Sequence, residues 1–295
     1  MTLWQKYYIA NNIADALHAL ASASGPARLI AGGTDLLLDL QQGRCPPVDT
    51  LVDINQCPEL TCLEVRGERL FIGAAVPLNQ LVASELVQEH ARAVWQACGL
   101  IAGPQVRNTA TLGGNVAHAL PAGDGSIALL ALRASAEIAS LNGKREIPLE
   151  NLFLGPGRSA LLQGQELLVG FYLPLAGSGQ ASSFKRVMRP QGVALPILNM
   201  AVWLQREETV LSDLTLAIGP SGSIPCRLRQ VEADLRGKAL SEQALEHAAG
   251  VLAESAHFRT SPLRASSAYR HHLARWLLSE TFLTAWKSTY DSLSS

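Results

Sequence analysis

The chain has 295 residues, is 48% hydrophobic and carries a formal net charge of −1. That length buries one large core or two ordinary ones, and the even mixing of acids and bases leaves no basic stripe for nucleic acid. No run reaches the ~20 apolar residues that span a bilayer, so no membrane span is expected.

The start, MTLWQKYYIA, lacks the basic and apolar regions of a signal peptide. The cysteines, Cys45, Cys57, Cys62, Cys98 and Cys226, are odd in number and scattered. That usage predicts a reduced, cytoplasmic protein. Cys57 and Cys62 lack the tight, recurring pairs of metal sites and read as buried, inert thiols.

In chain order, 12–22 places Ile13, Ala16, Leu17 and Leu20 at helical spacing, with Asn11 or Asn12 to cap the start. Residues 28–31, 51–54 and 70–76 read as strands, and 79–87 and 91–98 as helices. The tract 99–125 is rich in Gly, Pro, Thr and Asn and reads as a long functional loop. A helix over 126–134 follows, then strands over 136–141 and 166–174. The small, polar stretch 175–183 marks a domain boundary. Beyond it the sequence predicts strands joined by a loop at Arg189 to Gly192, and a strand over 211–220. Helices over 241–255 and 266–286 close the chain, the second with Tyr269, Leu273, Trp276 and Leu277 on one face. Strands and helices alternate irregularly, which argues for α+β rather than a doubly wound sheet.

Two glycine loops stand out: AGGTD, 31–35, and TLGGN, 111–115. Glycine permits positive φ and close approach. Successive amides in such loops form an anion-binding concavity, which suits a pyrophosphate. Each pair also reads as a plain tight turn. The chain has no G-x-G-x-x-G after a strand and no G-x-x-x-x-G-K-[ST], which disfavours a Rossmann domain or a P-loop. H-E-x-x-H and G-x-S-x-G are missing too. Asp124, in PAGDG, reads either as a helix cap through the amides of Ser126 to Leu129 or as an acceptor for nucleotide sugar hydroxyls. Lys185 and Arg186 read as surface charge or as groups reaching an interdomain cleft. His118 reads as a polar loop residue, and the adjacent His271 and His272 face different ways.

With these residues in place, the chain resembles the FAD-binding medium subunits of the molybdenum hydroxylases, the xanthine dehydrogenase and carbon monoxide dehydrogenase group. AGGTDLL and IAGPQVRNTATLGGNVAHALPAGD resemble that family's two flavin motifs, and IGAAVPLNQL the strand and helix between them. AIGPSGSIPCRLRQVEADLRGK and SSAYRHHLARWLL resemble its C-terminal domain.

The resemblance implies an α+β fold. A two-lobed, vanillyl-alcohol-oxidase-like FAD domain is expected over 1–176, with lobes about 1–56 and 57–176. A small α+β domain with an antiparallel sheet is expected over 182–288. The resemblance implies that Leu29, Ile30, Ala31, Gly32, Gly33, Thr34, Asp35 and Leu36 wrap the FAD phosphates. Thr111, Gly113, Gly114 and Asn115 complete the cradle, and Asp124 holds ribose or ribityl hydroxyls. Ile101 lies beside the isoalloxazine ring, with Leu168 and Lys185 toward its other side. No catalytic acid–base group and no metal ligand is expected in this chain. Two departures stand out: Ile127 replaces a proline common in relatives, and Ile101 is aliphatic where some relatives are aromatic.

The implied role is electron output. A large molybdopterin subunit hydroxylates the substrate, a purine by general likeness. A small subunit with [2Fe-2S] clusters relays electrons to FAD, which passes them to NAD+ or another acceptor, in a dimer of heterotrimers. The rival readings are a free-standing flavoprotein oxidase or reductase, and a non-catalytic assembly subunit.

Overall fold

A computed structural model describes residues 2–189 and 195–291. The chain opens with β1 (Trp4–Ile9), α1 (Ile13–Ser22), β2 (Ala27–Ile30), α2 (Leu36–Gln41) and β3 (Val48–Asp53). The three strands form a parallel sheet in the order β1-β3-β2. Helix α1 forms where the periodicity places it: Ile13, Ala16, Leu17 and Leu20 are buried, and the Asn12 side chain accepts from the Asp15 amide at 2.8 Å. Central β3 buries Leu51 and Val52 completely.

The second lobe runs α3 (Pro58–Thr61), β4 (Leu63–Arg66), β5 (Arg69–Gly73), α4 (Leu78–Val82), α5 (Glu85–His90), α6 (Arg92–Leu100), α7 (Pro104–Arg107), α8 (Leu112–Ala117) and α9 (Asp124–Ala131). It continues through β6 (Ser135–Ser140), β7 (Gly143–Pro148), β8 (Phe153–Gly155), β9 (Arg158–Ser159) and β10 (Glu166–Pro174). Five of these strands form a sheet in the order β4-β5-β10-β6-β7. The helix expected over 79–87 is two helices. Ser84 interrupts it and caps α5, its hydroxyl accepting from the Val87 amide at 3.3 Å. The tract expected as one long loop, 99–125, contains α7, α8 and the start of α9.

The C-terminal part holds β11 (Gln180–Met188), β12 (Pro196–Glu207), β13 (Val210–Gly219), β14 (Cys226–Arg227), α10 (Arg229–Leu235), α11 (Glu242–Ser255) and α12 (Ser267–Asp291). Its strands form an antiparallel sheet in that order. Most of the loop expected at Arg189 to Gly192 lies outside the described residues. One face of this sheet packs on α10–α12 through Met200, Val202, Leu216, Leu252, Leu277 and Phe282. The other meets the second lobe: Phe184, Ala201 and Ala217 share a core with Val94, Ala128 and Leu129. Helix α9 is therefore buried along its whole length.

On α12 the expected common face divides. Leu273 and Leu277 are buried, while Tyr269 and Trp276 are exposed. The core stripe instead runs Arg270, Leu273, Ala274, Leu277, Leu278 and Phe282, the i, i+3, i+4 pattern of a docked helix.

Candidate functional site

The two glycine loops meet. AGGTD links β2 to α2, and its backbone lies directly on the residues that precede TLGGN. A Cβ on Gly32 would stand 2.0 Å from the Thr109 carbonyl oxygen, so only glycine fits there. Gly33 takes φ +67°, the left-handed region that favours glycine. Asn55 fixes the loop's entrance, donating to the Ala31 carbonyl at 3.0 Å and to Asp53 at 2.7 Å. Among the described residues, the amides of Gly32, Gly33, Thr34 and Asp35 donate to no backbone or side-chain acceptor. Asp35 precedes α2 without capping it through its side chain.

The second loop uses its amides differently from the sequence expectation. Gly113 donates to the Ala74 carbonyl at 2.9 Å, and a Cβ there would lie 2.4 Å from that oxygen. Gly114 donates to the Thr111 hydroxyl at 3.0 Å, and Asn115 to the Thr111 carbonyl at 3.1 Å. Gly113 is thus a packing glycine. Gly114 is exposed, and a Cβ there would meet only the Thr111 hydroxyl, at 3.1 Å. Among the described residues, the second loop keeps one amide without an acceptor, that of Thr111, against four in the first. The Asn115 side chain accepts from the Gly125 amide at 3.1 Å and so ties α8 to α9.

His118 joins the two loops. Its Nδ1 lies 3.4 Å from Asp35 Oδ2. The contact holds the Asp35 carboxyl below the usual carboxylate range and raises the His118 imidazole above its usual range. Proximity in sequence gives no sign of this pair.

Asp124 is 4% exposed and does not cap α9; Gly123 takes that position, without a side-chain bond. Both Asp124 oxygens are engaged by β11 and β12. Arg186 donates to Oδ2 at 2.5 Å, and Asn199 donates to Oδ1 at 2.6 Å. Burial pushes the Asp124 carboxyl up, against the pull of the Arg186 charge and the Asn199 amide. Arg186 also donates to the Leu100 carbonyl, next to Ile101. Three buried polar atoms here, Arg186 Nε, Asn199 Oδ1 and Ser126 Oγ, have no hydrogen-bond partner among the described residues.

Of the pair Lys185 and Arg186, it is Arg186 that reaches the cleft. Strand alternation turns Lys185 to the opposite face, where its Nζ lies 3.9 Å from Glu280 on α12. Leu168 is buried on β10 beside a register shift, in the same core as Leu112 and Val116 of α8. Ile101 is half-buried, and Arg107 holds its turn by donating to the Ile101 carbonyl at 3.1 Å and the Ala102 carbonyl at 2.7 Å. Leu29 and Ile30 lie on β2 and Leu36 opens α2, so both ends of the first loop are anchored in regular structure.

The first loop fits a pyrophosphate. Four amide donors lack a protein acceptor, one residue has positive φ, and no lysine is required.

Residues 3–176 match the family model described as the FAD binding domain in molybdopterin dehydrogenase. Residues 182–285 match the CO dehydrogenase flavoprotein C-terminal domain. The chain is 32% identical over 270 residues to a xanthine dehydrogenase FAD-binding subunit of Escherichia coli, covering 90% of this chain and 91% of the relative. It is also 32% identical over 281 residues to the nicotine 6-hydroxylase medium subunit of Paenarthrobacter nicotinovorans, covering 95% and 96%. A solved carbon monoxide dehydrogenase of Hydrogenophaga pseudoflava superimposes with a TM-score of 0.90 at 27% identity, covering 96% of this chain and 97% of that one. An FAD-binding domain joined to a CO-dehydrogenase-type flavoprotein C-terminal domain, over nearly the whole sequence, makes this chain a member of the FAD-binding subunit family of the molybdenum hydroxylases.

Proposed function

We propose that this chain is the electron-output subunit of a molybdenum hydroxylase complex, taking electrons from iron–sulphur clusters on a small partner and delivering them to NAD+ or another acceptor. The observation that carries the reading is the Gly32–Asp35 loop, whose four amides have no acceptor among the described residues and whose Gly32 packs on the Thr109–Ala110 backbone leading into the second glycine loop. FAD, when bound, would supply the conversion between single-electron input and two-electron output; the protein binds and orients it.

In this reading Leu29 to Leu36 line the phosphates, and Thr111, Gly113, Gly114 and Asn115 shape the facing wall. A carboxylate has about four acceptor sites. Asp124 therefore keeps capacity for ribose or ribityl hydroxyls beyond the bonds from Arg186 and Asn199. Ile101 borders the ring, with Leu168 toward its other side; Lys185, which faces Glu280 on α12, lies outside this pocket. The division into 1–176 and 182–288 assigns the cradle to the first domain and Arg186 to the second.

The partners in this reading are a small [2Fe-2S] subunit and a large molybdopterin subunit, assembled as a dimer of heterotrimers. A purine is the substrate we assign, supported by likeness to the xanthine dehydrogenase FAD-binding subunit. The test is to purify the complex through a tag on this chain and follow xanthine-dependent NAD+ reduction. Turnover by the complex and none by the isolated chain is the expected result. Turnover of an organic substrate by the isolated chain would favour a free-standing oxidase instead.

A further inference from the structure

Away from the glycine loops, the chain gathers positive charge that the described residues only partly balance. The sequence from 256 to 275, AHFRTSPLRASSAYRHHLAR, holds Arg259, Arg264, Arg270 and Arg275, three histidines and no acid. Arg275 finds a carboxylate on Glu246. The other three do not: among the described residues, no carboxylate lies within 4.0 Å of Arg259, Arg264 or Arg270.

Arg270 is the unusual member. It is 2% exposed and stands in the first turn of the 25-residue helix α12, and among the described residues its side chain makes one hydrogen bond, donating to the Arg259 carbonyl at 2.9 Å. Its Nε is buried with no hydrogen-bond partner among the described residues. A buried guanidinium without a counter-charge costs several kcal/mol in general, and the positive end of a helix adds to that cost. Burial, together with the charges of Arg264 and Arg259, pulls Arg270 below the usual guanidinium range. The helix's own first amides do not supply the site. Ser267 donates to Thr260 Oγ1 and Tyr269 to Ser266 Oγ. Arg189, at the end of β11, joins the group by donating to the Arg264 carbonyl at 3.2 Å.

We propose that Arg270, with Arg259, Arg264 and Arg189 at its rim, forms a binding site for a phosphate or pyrophosphate group. Guanidinium forks match phosphate oxygens in bidentate geometry, and a multivalent anion balances several cations at once. One member of the site, Arg189, directly follows β11, the strand that carries Arg186. Arg189 follows Arg186 by three residues, about 10 Å of extended chain. Free phosphate and the phosphates of a dinucleotide electron acceptor are the two sources of this chemistry. The site stands apart from the flavin reading, since the visible spectrum reports one and anion titration the other.

The experiment is calorimetric titration of the full chain, purified with its flavin, with inorganic pyrophosphate at low salt. It is repeated on Arg259→Glu and Arg264→Glu, whose side chains are exposed, and on Arg275→Ala as a control outside the site. Each rim variant is expected to weaken pyrophosphate at least about tenfold, the loss of a charge-assisted contact, with an unchanged melting curve and an unaffected control. NADH that displaces pyrophosphate identifies a dinucleotide as the source. Bound pyrophosphate that NADH does not displace identifies free phosphate. No uptake by the wild type at millimolar pyrophosphate, or equal affinity in the rim variants, overturns the proposal.

Discussion

Gly113 and Gly114 are neighbours in one motif and do different work. A methyl on Gly113 would press on the Ala74 carbonyl at 2.4 Å, backbone that cannot yield locally. A methyl on Gly114 would meet only a hydroxyl at 3.1 Å. Gly113→Ala is expected to destabilise the chain by about 1–3 kcal/mol, and Gly114→Ala by well under that, read as midpoint shifts in urea unfolding.

Arg186 and Asp124 are 6% and 4% exposed at their side chains, so neither can take water as a replacement partner. Arg186→Met leaves a buried carboxylate short of its counter-charge and is expected to cost about 3–5 kcal/mol. A cost below about 1 kcal/mol would show that the pair is not buried as described.

His118 and Asp35 give a pH test. The folded imidazole is raised above 6.5, so its contribution is whole below 6.5 and disappears as pH rises through the folded value. Asp35 is held below 3.8, so its share is present above 3.8 and lost on acidification through its folded value. The melting-temperature difference between wild type and His118→Asn is therefore expected near pH 6 and should shrink by pH 9. A difference that is flat across that range would contradict the tie.

At the scale of elements, legibility followed the physical signal. Helix α1 and strand β13 announced themselves through apolar periodicity, and both lie within a residue or so of their expected bounds. Strand β1, WQKYYI, was not legible because it is exposed along most of its length and shows no alternation of burial. Strand β7, GKREIP, failed for the same reason. The break between α4 and α5 rests on one side chain. Ser84→Ala removes the cap of α5 and is expected to cost about 1 kcal/mol, measured by thermal melting.

The glycine motifs were visible as motifs, but which of their amides stay free was not. That depends on carbonyls such as those of Ala74 and Thr111, brought near by the fold. Arg186 was read only as one of two possible cleft residues. Choosing it over Lys185 needs the strand's facing, and Asp124 is 62 positions away in sequence.

At the scale of the whole molecule, the C-terminal sheet has two duties. One face carries the core of α10–α12, and the other closes on α6 and α9, next to the loops that build the cradle. The family resemblance legible in AGGTDLL and TLGGN extends across both parts of the chain, as the two family matches show. The central claim is that the chain holds FAD at the meeting of its two glycine loops. The most direct measurement is the visible absorption spectrum of the gently purified chain, before and after acid release of the chromophore. The account predicts a flavin band, released as FAD at about one per chain and without an iron–sulphur shoulder. A colourless protein that also fails to take up added FAD would contradict it.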